Sequence, residues 1–248
     1  MTNKKVLIVQ NITREGTGLI EEVLNEKGIN FDIVDLSKGK NFPKPEKYFA
    51  IFVLGGPDSA NDKTQKMQNE LKKIREILTA KIPYFGVCLG MQALVKAAGG
   101  EVYANPVREI GCRDNDGIYY EVNLTKEGVN DSIFRSIKSP FKIFQLHGET
   151  VKLGKGMKLL GTGKHCRHQI VKIGNAYGIQ GHLEVTESIL KKWLAEDSMF
   201  DNYDKNAILK DFRNAQVEYK TNGLRLINIF LDIAEKQNEE MTKIVLNN

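Results

Sequence analysis

Four short apolar runs, separated by helical patterns and glycine breaks, fill the first ninety residues, and that alternation leaves few folds open. Lys5–Gln10 (KVLIVQ), Asn30–Leu36 (NFDIVDL), Tyr48–Leu54 (YFAIFVL) and Ile82–Val87 have the length and the Val, Ile and Phe content of strands, the first fully buried. Between them, Gly18–Asn25 sets Leu19, Ile20, Val23 and Leu24 at helical spacing and stops at Gly28. Lys63–Ala80 puts Met67, Leu71, Ile74 and Leu78 on one face, its charges forming the wet side, and Met91–Ala98 closes on Gly99-Gly100. Strands alternating with helices in this way predict an α/β fold with a central, mostly parallel sheet covered by helices.

After Glu101 the pattern changes. Ile118–Leu124, Lys142–Leu146, Lys158–Gly161 and Gln169–Ile173 read as further short strands, and Gly174-Asn175 marks the turn of a hairpin over Gln169–Gln180. Beyond Thr186 the pattern is helical, with Ile189, Trp193 and Leu194 on one face and an apolar stretch over Leu224–Ala234. The expected organisation is one α/β domain over 1–196, including the hairpin region, with a helical extension over 197–248 packed on it. At 248 residues the chain buries enough surface to fold without disulfides or structural metal.

The 36 basic and 31 acidic residues give a net charge of +5, spread without basic runs, which argues against nucleic acid as a partner. No apolar run approaches the ~18 residues of a membrane span, and Met1–Lys5 leads into a strand with no signal-peptide pattern, so a cytoplasmic protein is expected. Cys88, Cys112 and Cys166 are odd in number and widely spaced, neither a disulfide framework nor a CxxC metal pair, and read as reduced thiols. His165-Cys166-Arg167-His168 lacks a second ligand pair and reads as a solvated loop, so no metal is expected. Cys112 has no visible partner.

Gly86-Val87-Cys88-Leu89-Gly90 carries the chemistry. An apolar strand enters, small residues make a tight turn around one nucleophile, and a helix leaves. The helix start favours thiolate and would stabilise an oxyanion. A bare GxCxG also suits an inert buried cysteine, so the rest of the chain must supply a base, an orienting acid and an oxyanion hole. His182 follows the apolar stretch Tyr177–Gln180, and Glu184, two residues on, shares its side of an extended chain. Gly55-Gly56 closes the third strand, beside the elbow in a parallel sheet, where bare backbone can approach a substrate. Together these are the parts of a Cys-His-Glu acyl transferase or hydrolase.

Pro83–Leu94 (PYFGVCLGMQAL) resembles the nucleophile signature of class I glutamine amidotransferases. Tyr177–Thr186 (YGIQGHLEVT) resembles the family's histidine-glutamate strand, Leu54–Asn61 (LGGPDSAN) its glycine-rich oxyanion loop, and Phe144–Thr150 (FQLHGET) a segment that helps hold substrate. The resemblance covers about Lys5 to Ala195, with all four segments in order, and is nearest to the amidotransferase domain of GMP synthetases. It implies a flavodoxin-like fold with Cys88 as nucleophile, His182 as general base and acid, and Glu184 orienting it. It further implies N–H groups of Gly56 and Leu89 in the oxyanion hole, and Gly55, Gln92 and His147 at the glutamine. No cofactor is implied. The expected reaction gives glutamate and ammonia from glutamine.

Two positions depart from the family: Leu183 stands where proline is usual, freeing the backbone before Glu184, and Gly181 stands where a bulky aromatic is frequent. The glycine suggests an opened pocket wall, as in γ-glutamyl peptidases, which take larger γ-glutamyl amides. With no ATP-pyrophosphatase motif, the ammonia would go to a separate synthetase partner. A stand-alone γ-glutamyl peptidase and a silent partner-binding subunit are the alternatives.

Overall fold

Alternate residues of the first strand part to opposite sides of a sheet. Val6 and Ile8 enter one apolar core with Leu19, Ile20, Phe52 and Phe85, while Leu7 and Val9 enter a second with Ile51, Val53, Met67 and Ile74. Two cores, one on each face, are what a buried parallel sheet requires. The structure, a computed structural model, describes residues 5–246. Its elements are β1 (Lys5–Gln10), α1 (Gly18–Glu26), β2 (Phe31–Asp35), β3 (Tyr48–Val53), α2 (Gln65–Thr79), β4 (Tyr84–Val87), α3 (Leu89–Ala97) and β5 (Glu101–Gly111). They continue as β6 (Glu121–Leu124), α4 (Lys126–Val129), β7 (Phe141–Lys142), β8 (Gln145–Lys152), β9 (Lys158–Thr162), β10 (Ile170–Ile173), β11 (Ala176–Ile179), α5 (Glu187–Glu196) and α6 (Lys205–Leu246).

The main sheet runs β2-β1-β3-β4-β11-β10-β9-β6-β7. Its first five strands pair in parallel, and the rest pair antiparallel. The fold is thus the α/β architecture read from the sequence, with α1, α5 and α6 feeding one core and α2 and α3 the other. The hairpin β10–β11 forms as expected, with Gly174 at φ +57° in its turn.

Three local readings change. Lys142–Leu146 is not one strand: β7 ends at Lys142 on the main sheet, and β8 starts at Gln145 in a separate ribbon with β5. β5 itself has no counterpart in the sequence reading. Ile118 lies outside a strand, in a turn where Asp114 Oδ1 accepts from its N–H at 2.9 Å. One charge of α2 also leaves the wet face expected for it: Glu70 is fully buried, accepting from Asn11 Nδ2 at 3.0 Å.

α6 is built into the core. Phe230 meets the rings of Phe52 and Phe85 edge-on at 5.1 and 5.3 Å. Gly223 lies so close to the stretch after β11 that an added Cβ would sit 2.1 Å from Leu183 O. Among the described residues, no helix is long and apolar enough to cross a membrane.

Candidate active site

The parallel strands β1, β3, β4 and β11 end on one edge of the sheet, where an open α/β fold places its ligands. Cys88 sits there between β4 and α3, at φ +51° and ψ −109°, a conformation costly for any residue with a Cβ. Its own N–H donates to Ile179 O at 2.8 Å, tying the elbow to β11. The flanking glycines are demanded by contact. A Cβ on Gly86 would meet the Gly90 carbonyl at 2.5 Å, and one on Gly90 would meet Val53 O at 2.1 Å. The thiol is 7% exposed, points toward Leu146 O at 3.7 Å, and receives Gln180 Nε2 at 3.7 Å.

His182 lies beyond the end of β11. It is held by one bridge to Phe144, its N–H donating to Phe144 O at 2.8 Å. Its Nδ1 is 2.7 Å from Glu184 Oε1, the i, i+2 pairing that an extended chain allows. Both side chains are buried, at 1% and 5% exposure. Burial works against a charge on the His182 ring, but the Glu184 carboxylate and the nearby Cys88 thiol outweigh it and hold the imidazole well above its ordinary pKa. His182 Nε2 and Glu184 Oε2 have no hydrogen-bond partner among the described residues.

Neither departure from the family pattern acts as the sequence suggested. Glu184 keeps its place without a proline before it, because its own carbonyl accepts from Leu19 N at 2.9 Å and α6 packs on Leu183. Trp193 of α5 meets the His182 ring edge-on at 4.9 Å. Gly181 opens no wall: a Cβ there would lie 2.7 Å from both Gln145 Oε1 and Ile143 Cδ1, so those side chains already fill the space.

Of the other expected residues, Gly55, Gly56 and Leu89 gather around the elbow. A Cβ on Gly55 would be 3.4 Å from Cys88 Cβ, and one on Gly56 would be 3.3 Å from Leu89 Cδ2 and 2.7 Å from Asn11 Cβ. Gln92 Nε2 donates to Glu149 O at 3.1 Å and Gln180 Oε1 at 3.3 Å, which places it beside the thiol's own amide neighbour. His147 is engaged at both nitrogens, by Glu149 O at 3.0 Å and Glu109 Oε2 at 2.8 Å. It holds the β5–β8 ribbon together.

Cys166 is not in a solvated loop. It is buried against Thr150 Oγ1 at 3.1 Å, and burial pushes its thiol up to about 11. Burial likewise pushes Cys112 up to about 12, its thiol facing Ile208 O. All three cysteines are free.

Sequence reasoning passed over Glu15, Glu109 and Gln180. Gln180 had one signal: it is a polar residue two before His182, at the end of an otherwise apolar stretch. Two buried sets have donor atoms within 4.8 Å of one another, as a cation would need: Glu109, His147 and Cys166, and Glu15, His182 and Glu184. In the first, both imidazole nitrogens are already taken, and in the second, Nδ1 is taken by Glu184.

The family model for glutamine amidotransferase class-I matches residues 13–202. GMP synthase [glutamine-hydrolyzing] of Thermosipho melanesiensis is 26% identical over 219 residues, which cover 86% of this chain and 40% of that protein. The chain therefore spans well under half of such a relative. The glutamine amidotransferase-like protein YfeJ of Salmonella typhimurium is 29% identical over 150 residues, covering 58% of this chain and 60% of that one. Among solved structures, a glutamine amidotransferase from Thermotoga maritima superposes with a TM-score of 0.82 at 29% identity, covering 94% of this chain and 99% of that one. A match over most of the chain, on a fold that sets a strained cysteine near a buried His-Glu pair, places this protein in the class I glutamine amidotransferase family.

Proposed function

We propose that this chain hydrolyses the side-chain amide of glutamine through a γ-glutamyl thioester on Cys88 and passes ammonia to an acceptor. The observation that carries this reading is the conjunction of Cys88 at φ +51° on the elbow with the 2.7 Å His182–Glu184 contact. The raised basicity of His182 suits an imidazolium facing a thiolate. The thiolate attacks the amide carbon. The developing oxyanion is met by the N–H groups of Gly56 and Leu89, neither of which donates to another group among the described residues. His182 gives its proton to the departing nitrogen, and the C–N bond breaks to leave the thioester and ammonia. Water, deprotonated by the now neutral His182, then adds to the thioester, returning the thiol and releasing glutamate.

Gly55 backbone and Gln92 line the approach to the sulfur, and Gln180 joins them as an amide donor to it. His147 acts by fixing Glu149, whose carbonyl holds Gln92. The name of the Thermosipho relative suggests a synthetase as the ammonia acceptor, supplied outside these residues. Three free thiols suit a reducing, cytoplasmic setting.

Glutamate release from glutamine and from γ-glutamyl dipeptides, compared between the native chain and Cys88→Ala, tests the reading. Release from glutamine that falls by on the order of 10³-fold or more in the variant is expected. Release from dipeptides alone would make it a peptidase. A Cys88 that ignores an electrophilic glutamine analogue, even beside a partner, would make it a silent subunit.

A further inference from the structure

Glu15 lies in the loop after β1 and is only 5% exposed, yet nothing in the proposed reaction uses it. One of its carboxyl oxygens, a ring nitrogen of His182 and a carboxyl oxygen of Glu184 all lie within 4.8 Å of one another. A methyl group added to Gly55 would sit 3.2 Å from Glu15 Oε2 and 3.4 Å from Cys88 Cβ, so little more than the bare Gly55 backbone separates this carboxyl from the nucleophile. The loop is fixed from outside. Arg14 pairs with Asp197 at 2.6 Å, and Arg14 O accepts from Trp193 Nε1 at 3.1 Å, the same tryptophan that meets the His182 ring. The Glu15 backbone carbonyl also accepts from Gln10 Nε2 at 2.7 Å.

We propose that Glu15 is a positioning residue of this site, a second carboxyl group on the His182–Glu184 pair that sets how tightly the imidazolium holds its proton. The inference rests on the thioester reading above. Two carboxyl groups beside one buried imidazole do not both ionise freely. Glu184 is bonded to Nδ1, so the proton resides on Glu15, a carboxyl oxygen of which lies within 4.8 Å of a Glu184 carboxyl oxygen. The titratable and charged groups facing Glu15 are His182 and Glu184 after β11, Arg14 on its own loop, Asp197 after α5 and the Cys88 thiol at the start of α3. Burial is the largest influence and, with Glu184 and Asp197, raises the Glu15 carboxyl to about 7 against the opposing pull of His182 and Arg14.

The consequence is a change of state near neutrality. Below it, one carboxylate faces His182 and the imidazolium gives up its proton readily to the leaving nitrogen. Above it, a second negative charge holds that proton more tightly and ammonia departure slows.

The test is a pH series on the whole chain, read in two ways. In one, the rate of Cys88 alkylation by iodoacetamide is followed by mass spectrometry of the Cys88 peptide. The native protein is expected to show an inflection near pH 7 that disappears in Glu15→Gln. In the other, the alkaline decline of kcat for glutamate release moves up by at least one pH unit in Glu15→Gln, while KM stays within about twofold. Profiles that superimpose, whatever the absolute rates, reduce Glu15 to a packing role and overturn the proposal. Native protein that releases no glutamate defeats the thioester reading, and the alkylation series still decides Glu15. If Glu15→Gln does not fold, carboxyl carbon NMR of glutamate-labelled native protein takes its place. Among the carboxyls titrating between pH 6 and 8, where Glu70 also falls, one is expected to move downward in Glu184→Gln, and a spectrum in which none moves overturns the inference.

Discussion

At the scale of single residues, the nucleophile's setting is a problem of backbone contact. Gly90 has Val53 O at 2.1 Å from where its Cβ would be, and a carbonyl of a central strand cannot rotate aside. Gly90→Ala is therefore expected to cost about 3 kcal/mol, the upper end for overpacking. Gly99, at φ +91° with nothing within 4 Å, meets only the backbone penalty, ~1–2 kcal/mol on replacement by alanine. Urea unfolding of the two variants measures the gap, and equal losses would show that the elbow tolerates a shift of β3. The elbow was legible in the sequence because its requirement is local: two glycines, a strand and a helix start are contiguous. The pairing of His182 with Glu184 was legible for the same reason. Glu15 was not, because a glutamate in a loop acquires this environment only when β11 and α5 close over it. Gly181 misled in the opposite sense, since what fills its missing side chain comes from Ile143 and Gln145, distant in sequence.

Elements show the same division between local and distant causes. β1, β3 and β4 announced themselves through apolar runs, since strands buried on both faces need no partner to be apolar. β5 did not. Asn105-Pro106 interrupts it, its pairing with β8 shifts register between Ala104 and Glu109, and its exposed residues follow no alternation. Its partner β8 was merged with β7 because Ile143 and Phe144, apolar in sequence, are the crossing between two sheets. α6 was read as part of a helical extension packed on the domain, and its Phe230 stands among Phe52, Phe85 and Tyr177 on the face of β3, β4 and β11, the strands that carry the candidate site. Phe230→Ala should remove 3–5 kcal/mol, as for other buried phenylalanines, and should lower the thermal midpoint well before any contact at Cys88 is touched. A loss under about 1 kcal/mol in chemical denaturation would show that the helix end lies only loosely on the sheet.

Over the whole molecule, buried carboxyl groups set the direction in which stability depends on pH. Glu15 and Glu70 are both raised to about 7, each chiefly by burial, from an ordinary value of 4.5. Between those values the folded chain holds two protons that the unfolded chain has released, so unfolding gives up protons and rising pH favours it. His182, raised above 6.5, acts in the same direction at higher pH, because its proton is lost from the unfolded chain first. Carboxylates with lowered values, among them Asp114, held well below its ordinary range by Lys164 and His165, and Glu187, lowered to about 2 by Arg213 and Lys191, act only below about pH 4.5. The chain should therefore be most stable near pH 5 and lose stability toward pH 8, by about 3 kcal/mol for each of the two glutamates. Urea midpoints at pH 5 and pH 8 measure the fall. Glu70→Gln isolates one half of it, since the amide carbonyl can still accept from Asn11 Nδ2 while nothing remains to ionise. The variant should gain at pH 8 and not at pH 5, narrowing the difference by about 3 kcal/mol. A Glu70→Gln protein that keeps the full native pH dependence would mean that Glu70 reaches water as readily as an exposed carboxylate.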